Sequence, residues 1–404
     1  MKILIADKFD RGGIEALEGL GARVECQPAL AGDALQEALQ AVDPRVLIVR
    51  GTRVTGEMFE VSDALGLVVR AGAGVNTIDL SAASRRSVLV ANCPGKNAVA
   101  VAELAFALIL ALDRRIVEGV NDLRNGVWNK KEYATARGLK GRTLGIIGTG
   151  QIGRAVAARA RGFEMDVVAW SRSLTPDRAE ALGVTPCADP GEVAACCDIL
   201  SIHCAAVPET RHLISAAVLD RLQPGSFVIN TARAEIMDYE ALANAMVKKN
   251  LRVGLDVFAV EPASGRGDFT DGIVKAGGLV YGTHHIGAST DQAQEAIAQE
   301  TVLIVTEYLR TGRVRNCVNL CARTPARYVV IVRHRNRAGV LAHTLHEISH
   351  AGVNVEEMEN VICDGAESAC AQIKLDGPLA DDVLSRIKSG NEHIFAVTHG
   401  PLHE

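Results

Sequence analysis

Short apolar runs alternate with helix-length stretches along the first three quarters of the chain. The apolar runs are rich in Val, Ile and Leu, a composition typical of parallel strands buried on both faces. The stretches between them are long enough for crossover helices, so the pattern predicts parallel sheets covered by helices. We predict strands at 3–6, 46–49, 67–71, 143–147, 166–170, 199–203, 226–230, 251–255 and 279–281.

Helices are predicted at 12–20, 33–41, 99–113, 154–161 and 291–311. The segment 99–113 is apolar on almost every side, which is typical of a helix buried between other elements. After residue 326 the order becomes βαββαβ, which is typical of a small ferredoxin-like module. The predicted fold class is therefore α/β, with two doubly wound parallel-sheet domains (Rossmann-like or flavodoxin-like) and a C-terminal α+β ferredoxin-like domain.

A glycine-rich turn follows the predicted strand 143–147 and reads Gly148-Thr149-Gly150-Gln151-Ile152-Gly153. In a G-x-G-x-x-G turn the first glycine permits the tight turn and the second lets the backbone approach a pyrophosphate. The third lets helix and strand pack closely. The helix N-terminus then offers unpaired N–H groups to phosphate. The unit predicts a dinucleotide site with contacts from Gly148, Gly150, Gln151, Ile152 and Gly153.

The second strand of this unit ends in Ser171-Arg172. A Rossmann unit usually carries there the acid that binds the ribose hydroxyls. Ser171 would not repel a 2′-phosphate, and the Arg172 guanidinium could bind one. The pair therefore favours NADP(H) over NAD(H). NAD(H) remains the alternative, with Arg172 as an ordinary surface residue.

Composition narrows the class of protein. The chain has 404 residues, is 48% hydrophobic and 23% charged, and has a formal net charge of −5. Such values are typical of a globular protein of about two or three domains. They give no reason to expect a nucleic-acid or membrane partner. The ten cysteines show no metal-ligand spacing, so we predict no metal site and the reduced thiols of a cytoplasmic protein.

Three polar residues, Arg233, Glu261 and His285, follow successive predicted strands. Loops at the carboxyl ends of parallel strands converge on one crevice, so the three side chains can meet. Arg233 offers a planar fork to a substrate carboxylate. A histidine can give and take a proton near neutral pH, and a carboxylate can fix its tautomer. The set predicts a dehydrogenase.

Basic residues also follow the strands of the first domain: Arg50, Arg53, Arg70 and Lys96. Cations at successive strand ends suit a substrate with a phosphate as well as a carboxylate. Surface charge balanced by nearby acids is the alternative for Arg53 and Lys96. Backbone N–H groups at Ala73 and Gly74 could hold the carboxylate.

Together these motifs resemble the D-isomer-specific 2-hydroxyacid dehydrogenase family. The resemblance covers nearly the whole chain and includes the segments 70–79 and 92–104. It implies catalytic roles for Arg233, Glu261 and His285. It also implies nicotinamide contacts near Thr231, Ala232 and Asp256, and substrate contacts in the loops of Arg70, Lys96 and Asn97.

The resemblance further implies a discontinuous substrate domain, 1–96 and 288–320, and an NAD(P)-binding domain at 97–287. Some positions depart from the family pattern, in addition to Ser171. Val69 stands where Gly is common, Ala234 where Gly is usual, and His284 where Pro is usual. The last change leaves His284 and His285 as candidates for the acid/base, and the register to Ile286-Gly287 favours His285.

Within the family, the layout is most similar to the branch that oxidises 3-phosphoglycerate in serine biosynthesis. The segment 326–404 resembles an ACT regulatory domain, although Ala338 stands where Pro is usual. His334, Asn336 and Asn354 match positions that bind effector serine between paired domains; the alternative is a module that only dimerises. The resemblance implies a homodimer or homotetramer. The alternative functions are an NADPH-dependent reductase of hydroxypyruvate or glyoxylate and a non-catalytic nucleotide sensor.

Overall fold

The computed structural model describes residues 1–262, 266–321 and 323–402. It divides into two compact units, Met1–Asn319 and Leu320–Glu404. Within the described residues, the first unit contains two lobes that are each built on a parallel sheet, and the second unit is a small α+β structure. This is the fold class that the hydrophobic pattern predicts.

The first lobe is built on strands that lie in one parallel sheet: β1 (Lys2–Ile5), β2 (Arg23–Cys26), β3 (Val46–Val49), β4 (Leu67–Arg70) and β5 (Leu89–Asn92). Their order is β2-β1-β3-β4-β5. The inner strands β1, β3 and β4 coincide with predicted strands because burial on both faces leaves an unbroken apolar run. β2 and β5 lie at the ends of this order, are less buried, and give no clear signal in the sequence.

The second lobe has the longer parallel sheet: β6 (Thr143–Ile147), β7 (Asp166–Trp170), β8 (Thr185–Pro186), β9 (Ile199–Ile202), β10 (Phe227–Asn230), β11 (Arg252–Leu255) and β12 (Leu279–Gly282). Their order is β12-β11-β10-β9-β6-β7-β8. The direction of winding therefore reverses at β6, which pairs with β9 on one side and β7 on the other. In an open α/β sheet, ligands bind at the carboxyl end of the strands beside such a switch point.

Helices cover both sheets of the first unit: α1 (Arg11–Gly19), α2 (Asp33–Val42), α3 (Leu80–Arg85), α4 (Ala98–Arg114), α5 (Ile116–Arg124), α6 (Lys130–Tyr133), α7 (Gln151–Gly162), α8 (Pro176–Leu182), α9 (Pro190–Cys196), α10 (Ala216–Leu219), α11 (Tyr239–Lys249) and α12 (Asp291–Thr311). α4 is largely buried, as its apolar sequence predicts, although Val99 is half exposed. No helix among the described residues is long and apolar enough to cross a membrane.

α12 returns the chain from the second lobe to the first. Its residues Ile297, Ile304 and Val305 share one apolar core with β1, β3 and β4. Beyond α12, the backbone of Val318 donates to Val90 of β5 at 2.8 Å. The packing of the first lobe therefore joins residues from both ends of the first unit.

The second unit has the predicted βαββαβ order: β13 (Tyr328–Arg335), α13 (Val340–His350), β14 (Val355–Ile362), β15 (Ser368–Leu375), α14 (Asp381–Ser389) and β16 (Ile394–Pro401). The antiparallel sheet has the order β14-β15-β13-β16. Alternate residues of β13, including Val330 and Val332, form a core with Ile348 of α13 and Ile387 of α14.

Candidate active-site cleft

A cleft of about 2030 Å³ lies between the two lobes of the first unit. It is lined by the loops that follow the carboxyl ends of strands in both sheets, as the strand-end argument predicts. The predicted site residues in its lining are Arg50, Arg70, Ala73, Gly74, Asn97, Gly150, Ile152, Thr231, Ala232, Arg233, Asp256, Glu261 and His285.

The glycine-rich turn begins directly after β6. A β-carbon at Gly148 would lie 2.6 Å from the amide nitrogen of Cys204, which is too close for a side chain. The φ angle there is +98°, a backbone conformation that also favours glycine. A β-carbon at Gly153 would lie 2.0 Å from the carbonyl oxygen of Gly148, so close packing of α7 requires this glycine. Gly150 has no neighbour within 4 Å of that position. The backbone is thus open at Gly150, where the motif brings a pyrophosphate close.

Two further observations fit a dinucleotide. The buried Thr231 Oγ1 and His203 Nδ1 have no hydrogen-bond partner among the described residues, and both residues line the cleft. Burial lowers the pKa of His203 to about 3, so its ring is neutral. Buried polar groups are normally paired, so these two atoms are available to a ligand that enters the cleft.

The end of β7 presents Ser171 and Arg172 beside the glycine turn. The Ser171 hydroxyl lies 2.7 Å from that of Thr149. Arg172 is exposed, and its Nη1 lies 3.6 Å from Oε2 of Glu209 in the loop after β9. The side chain of Gln151, a predicted dinucleotide contact, extends to the first lobe. Its Oε1 lies so close to Gly95 that a β-carbon there would be 1.6 Å away.

His285 and Glu261 form the pair that the sequence predicts. Nδ1 of His285 lies 2.8 Å from Oε2 of Glu261, so Nε2 is left for a substrate. Oε1 of Glu261 accepts from the backbone N–H of Phe258 at 3.0 Å. Burial raises the pKa of Glu261, but the hydrogen bonds from His285 and Phe258 outweigh it and hold the pKa below its usual value. Glu261 is therefore ionised at neutral pH and orients the imidazole.

Asp256 holds the segment that carries His285. Its carboxylate accepts from Thr283 Oγ1 at 2.6 Å and from the backbone N–H groups of Ile286 and Gly287 at 2.8 Å each. His285 has a left-handed backbone, with φ +55°, which is unusual for a residue with a β-carbon. The buried carboxylate thus holds the Thr283 side chain before His285 and the backbone after it, a role that the sequence does not reveal.

Arg233 lies opposite this pair, on the loop after β10. Asn230 shapes the loop, since its side chain accepts from the Ala232 N–H and donates to the Arg233 carbonyl, each at 3.0 Å. The guanidinium reaches the loop of the first lobe, because a β-carbon at Gly74 would lie 2.7 Å from its Nη2. Arg233 therefore spans the cleft between the lobes.

The first lobe contributes Arg70 and Arg50 to the same cleft. Burial, and then the charges of Arg233 and Arg50, lower the pKa of Arg70 to about 10. The Arg70 side chain covers Gly72, and its buried Nε has no partner among the described residues. Like charges close enough to lower the pKa of Arg70 repel one another, and an anion bound between them would relieve that repulsion. The arrangement therefore suits an anionic ligand.

The loop after β4 supplies further donors to the cleft. Among the described residues, no acceptor takes the backbone N–H groups of Ala73 and Gly74. Asn97, at the start of α4, presents a buried Oδ1 that is likewise unpaired within the described ranges. The sequence predicts a carboxylate contact for the Ala73 and Gly74 N–H groups, and a substrate contact for Asn97.

Two of the four basic residues predicted to bind substrate, Arg53 and Lys96, do not line the cleft. Lys96 forms an ion pair with Glu300 of α12, with 3.0 Å between Nζ and Oε2. Arg53 is exposed and also lies outside the lining. For these two residues the structure favours the alternative of a balanced or solvated surface charge. The sequence prediction placed them with Arg50 and Arg70 because strand ends converge, but local turns decide where a loop side chain points.

Asp7 and His203 line the cleft although the sequence does not predict them as site residues. Asp7 follows β1, and its Oδ2 accepts from the backbone N–H groups of Arg50, Gly51 and Thr52 at 2.6–3.2 Å. His203 follows β9, where Ser201 Oγ lies 2.7 Å from its Nε2. His203 directly follows β9 and Asp7 lies two residues after β1, so the convergence of strand ends would have predicted both.

The second unit separates the residues predicted to bind an effector. His334 is buried, with Nδ1 2.8 Å from the carbonyl oxygen of Arg335 and Nε2 3.1 Å from Oδ1 of Asn360. Asn336 follows it and donates to the Ala366 carbonyl at 3.1 Å. Asn354 lies at the other end of the sheet. It precedes Val355, which pairs with Leu375 of β15, whereas His334 pairs at the level of Ala369, six residues earlier on the same strand. At ~3.3 Å per residue, Asn354 is roughly 20 Å from His334 within one chain.

Known proteins share this architecture. Residues 106–287 match the model of the D-isomer specific 2-hydroxyacid dehydrogenase, NAD binding domain. The D-3-phosphoglycerate dehydrogenase of Methanocaldococcus jannaschii is 34% identical over 322 residues, 79% of this chain and 60% of the relative. The chain thus spans about three fifths of that relative's length.

Two further relatives extend the match. The D-3-phosphoglycerate dehydrogenase of Bacillus subtilis is 30% identical over 395 residues, 96% of this chain and 73% of the relative. The NAD⁺-bound 3-phosphoglycerate dehydrogenase of Entamoeba histolytica superposes with a TM-score of 0.65 and 25% identity, covering 79% of this chain and 99% of that one. The chain therefore belongs to the D-isomer-specific 2-hydroxyacid dehydrogenase family.

Proposed function

We propose that the protein oxidises 3-phosphoglycerate reversibly to 3-phosphohydroxypyruvate with NAD(P)⁺ as the acceptor. The observation that carries the proposal is one cleft in which Arg50, Arg70 and Arg233 face the His285–Glu261 pair. The pair can move a proton, and the guanidinium groups suit a substrate with two anionic groups. The named relatives act on this same phosphorylated acid.

In the proposed reaction, Arg233 binds the substrate carboxylate and the oxygen on C2 through its guanidinium. The free N–H groups of Ala73 and Gly74 bind the other side of the carboxylate. Nε2 of His285 accepts the hydroxyl proton while the C2–H bond breaks, and Glu261 stabilises the imidazolium that forms. The glycine turn after β6 would hold the dinucleotide, which would supply the acceptor for the hydride of C2. The charges on Arg50 and Arg70 bind the distal phosphate.

Steady-state kinetics would test the substrate assignment. We expect kcat/KM for phosphohydroxypyruvate to exceed that for hydroxypyruvate or glyoxylate by about 10²-fold or more, since the buried guanidinium groups are left unpaired by a substrate without phosphate. The measurement is NAD(P)H oxidation at 340 nm with each acid. Preference for an unphosphorylated acid would instead support a reductase of hydroxypyruvate or glyoxylate.

Cofactor choice depends in our proposal on the Ser171-Arg172 pair, which lacks the usual acid. We expect Arg172→Ala to weaken NADPH binding about tenfold, because a charge-assisted hydrogen bond to the 2′-phosphate is lost, and to change NADH binding little. Calorimetric titration of the apo protein measures both. Equal losses for the two nucleotides would show that Arg172 does not contact the 2′-phosphate.

We also propose that the second unit pairs between copies of the chain and binds serine at that junction. His334 and Asn336 lie at one end of its sheet and Asn354 at the other, so a ligand could bridge them only across two copies. The first unit adds exposed apolar side chains suited to a second copy: Ile116, Val117, Val120, Leu123, Val127 and Trp128. Light scattering, and the kinetic assays repeated with serine, would test pairing and effector binding separately.

A further inference from the structure

We propose that Glu209, in the loop after β9, lowers the affinity for NADP(H) relative to NAD(H) by placing a carboxylate beside Arg172. The inference rests on the proposed dinucleotide site, and it assigns to that site a specificity residue outside the glycine turn and the second strand. The observation behind it is the ion pair between Glu209 and Arg172, in which Oε2 lies 3.6 Å from Nη1.

The strand order places this ion pair beside the predicted nucleotide groove. β6 lies between β7 and β9, and the glycine turn leaves the carboxyl end of β6. The Gly148 N–H donates to the Trp170 carbonyl at 2.8 Å on the β7 side. On the β9 side Gly148 packs against the backbone of Cys204. An ion pair between the loops after β7 and β9 therefore crosses from one side of the turn to the other.

The loop that carries Glu209 is braced. Thr210 Oγ1 accepts from the Val207 N–H at 2.9 Å and donates to the carbonyl oxygen of Ala205 at 2.7 Å. Pro208 begins the short 3₁₀ turn that includes Glu209. The neighbouring residues Ala206, Val207 and Pro208 line the cleft. The backbone under Glu209 is thus held at the edge of the cofactor groove.

The negative charge of Glu209 affects the two nucleotides differently. Ser171 is neutral and engaged with Thr149, and Glu209 places a carboxylate beside Arg172. Arg154 also donates to the Thr149 carbonyl at 3.2 Å, so positive charge is present on this turn as well. A 2′-phosphate must compete with Glu209 for the guanidinium and is repelled by the carboxylate. A 2′-hydroxyl meets neither penalty. Glu209 therefore opposes the NADP(H) preference that Ser171-Arg172 would otherwise produce.

Calorimetric titration of the apo protein with NADH and NADPH at low ionic strength tests this assignment. Glu209→Gln should tighten NADPH binding about fivefold, a gain in the range of a surface charge pair, and leave NADH binding within about twofold. The gain should shrink in the Arg172→Ala background, because the competition for the guanidinium is gone.

Glu164→Gln is the matched control. Glu164 has the same side-chain exposure as Glu209, 65%, and also forms an exposed ion pair, with Lys140, but it precedes β7 at the opposite end of the sheet. It should change neither affinity. Equal changes for NADH and NADPH in Glu209→Gln, or no change, would overturn the assignment. Failure of the wild-type protein to bind either nucleotide would instead overturn the proposed function and this inference with it.

Discussion

Replacement of His285 by Ala is expected to lower kcat by about 10²- to 10⁴-fold while the protein still binds the dinucleotide. In the proposed reaction Nε2 of the imidazole takes the proton, because Glu261 holds Nδ1 at 2.8 Å and leaves Nε2 unengaged by that pair. Without it, the hydroxyl proton has no acceptor in the transition state. Single-turnover oxidation of 3-phosphoglycerate, with nucleotide binding measured in parallel, separates loss of chemistry from loss of the site.

His284→Ala is the natural control for this prediction. His284 also lines the cleft but adjoins His285 in the chain, so it reports on any general disturbance of the segment. We expect its kcat to stay within about threefold of wild type, the range of a neighbour that does not take part in proton transfer. The reverse result, in which His284→Ala loses activity and His285→Ala retains it, would mean that His284 is the acid/base.

Replacement of Arg233 by Ala should lower kcat/KM by about 10³-fold or more, because both substrate positioning and stabilisation of the oxygen on C2 are lost. Arg233→Lys should recover little of this, since an ammonium keeps the charge but not the planar fork. Partial rescue of Arg233→Ala by added guanidine hydrochloride at millimolar concentration would show that the guanidinium itself acts in the reaction.

A structural role for Arg233 would give a different pattern. The side chain donates to its own loop, at 2.7 Å from the Ala232 carbonyl, so its removal could loosen the chain after β10. In that case Arg233→Ala would lose thermal stability and nucleotide affinity together, and guanidine would not restore turnover. Melting temperatures of the variant with and without nucleotide distinguish the two explanations.

Much of the fold and part of the cleft were accessible from the sequence, for physical reasons. The central parallel strand β3 is apolar throughout, and β6 is apolar after its first residue, Thr143. Gly148 and Gly153 of the glycine turn are required by contacts closer than a side chain allows. The rule that strand ends converge brought Arg233, Glu261 and His285 to one place, as the structure now shows. Their roles stay predictions until the variants are measured.

Long-range partners were not accessible in this way. The sequence shows Lys96 as a free cation, but Glu300, about two hundred positions later, neutralises it. It shows Arg172 as an isolated phosphate ligand, whereas Glu209 faces it from another strand end. Edge strands such as β2 carry alternating polar residues over too short a run to stand out. Such ion pairs join residues that are far apart in the sequence, so no local sequence pattern predicts them.

The hydrogen bonds that Asp256 accepts have a consequence for how the two lobes would share the proposed reaction. They hold Ile286 and Gly287 against the carboxylate that follows β11 of the second lobe, shortly before the chain enters α12 and the core of the first lobe. In the proposed reaction the proton acceptor therefore belongs to the second lobe, whereas Arg50 and Arg70 lie at the carboxyl ends of strands of the first lobe. A substrate would have to touch both lobes at once to have its anionic groups held and its hydroxyl proton removed.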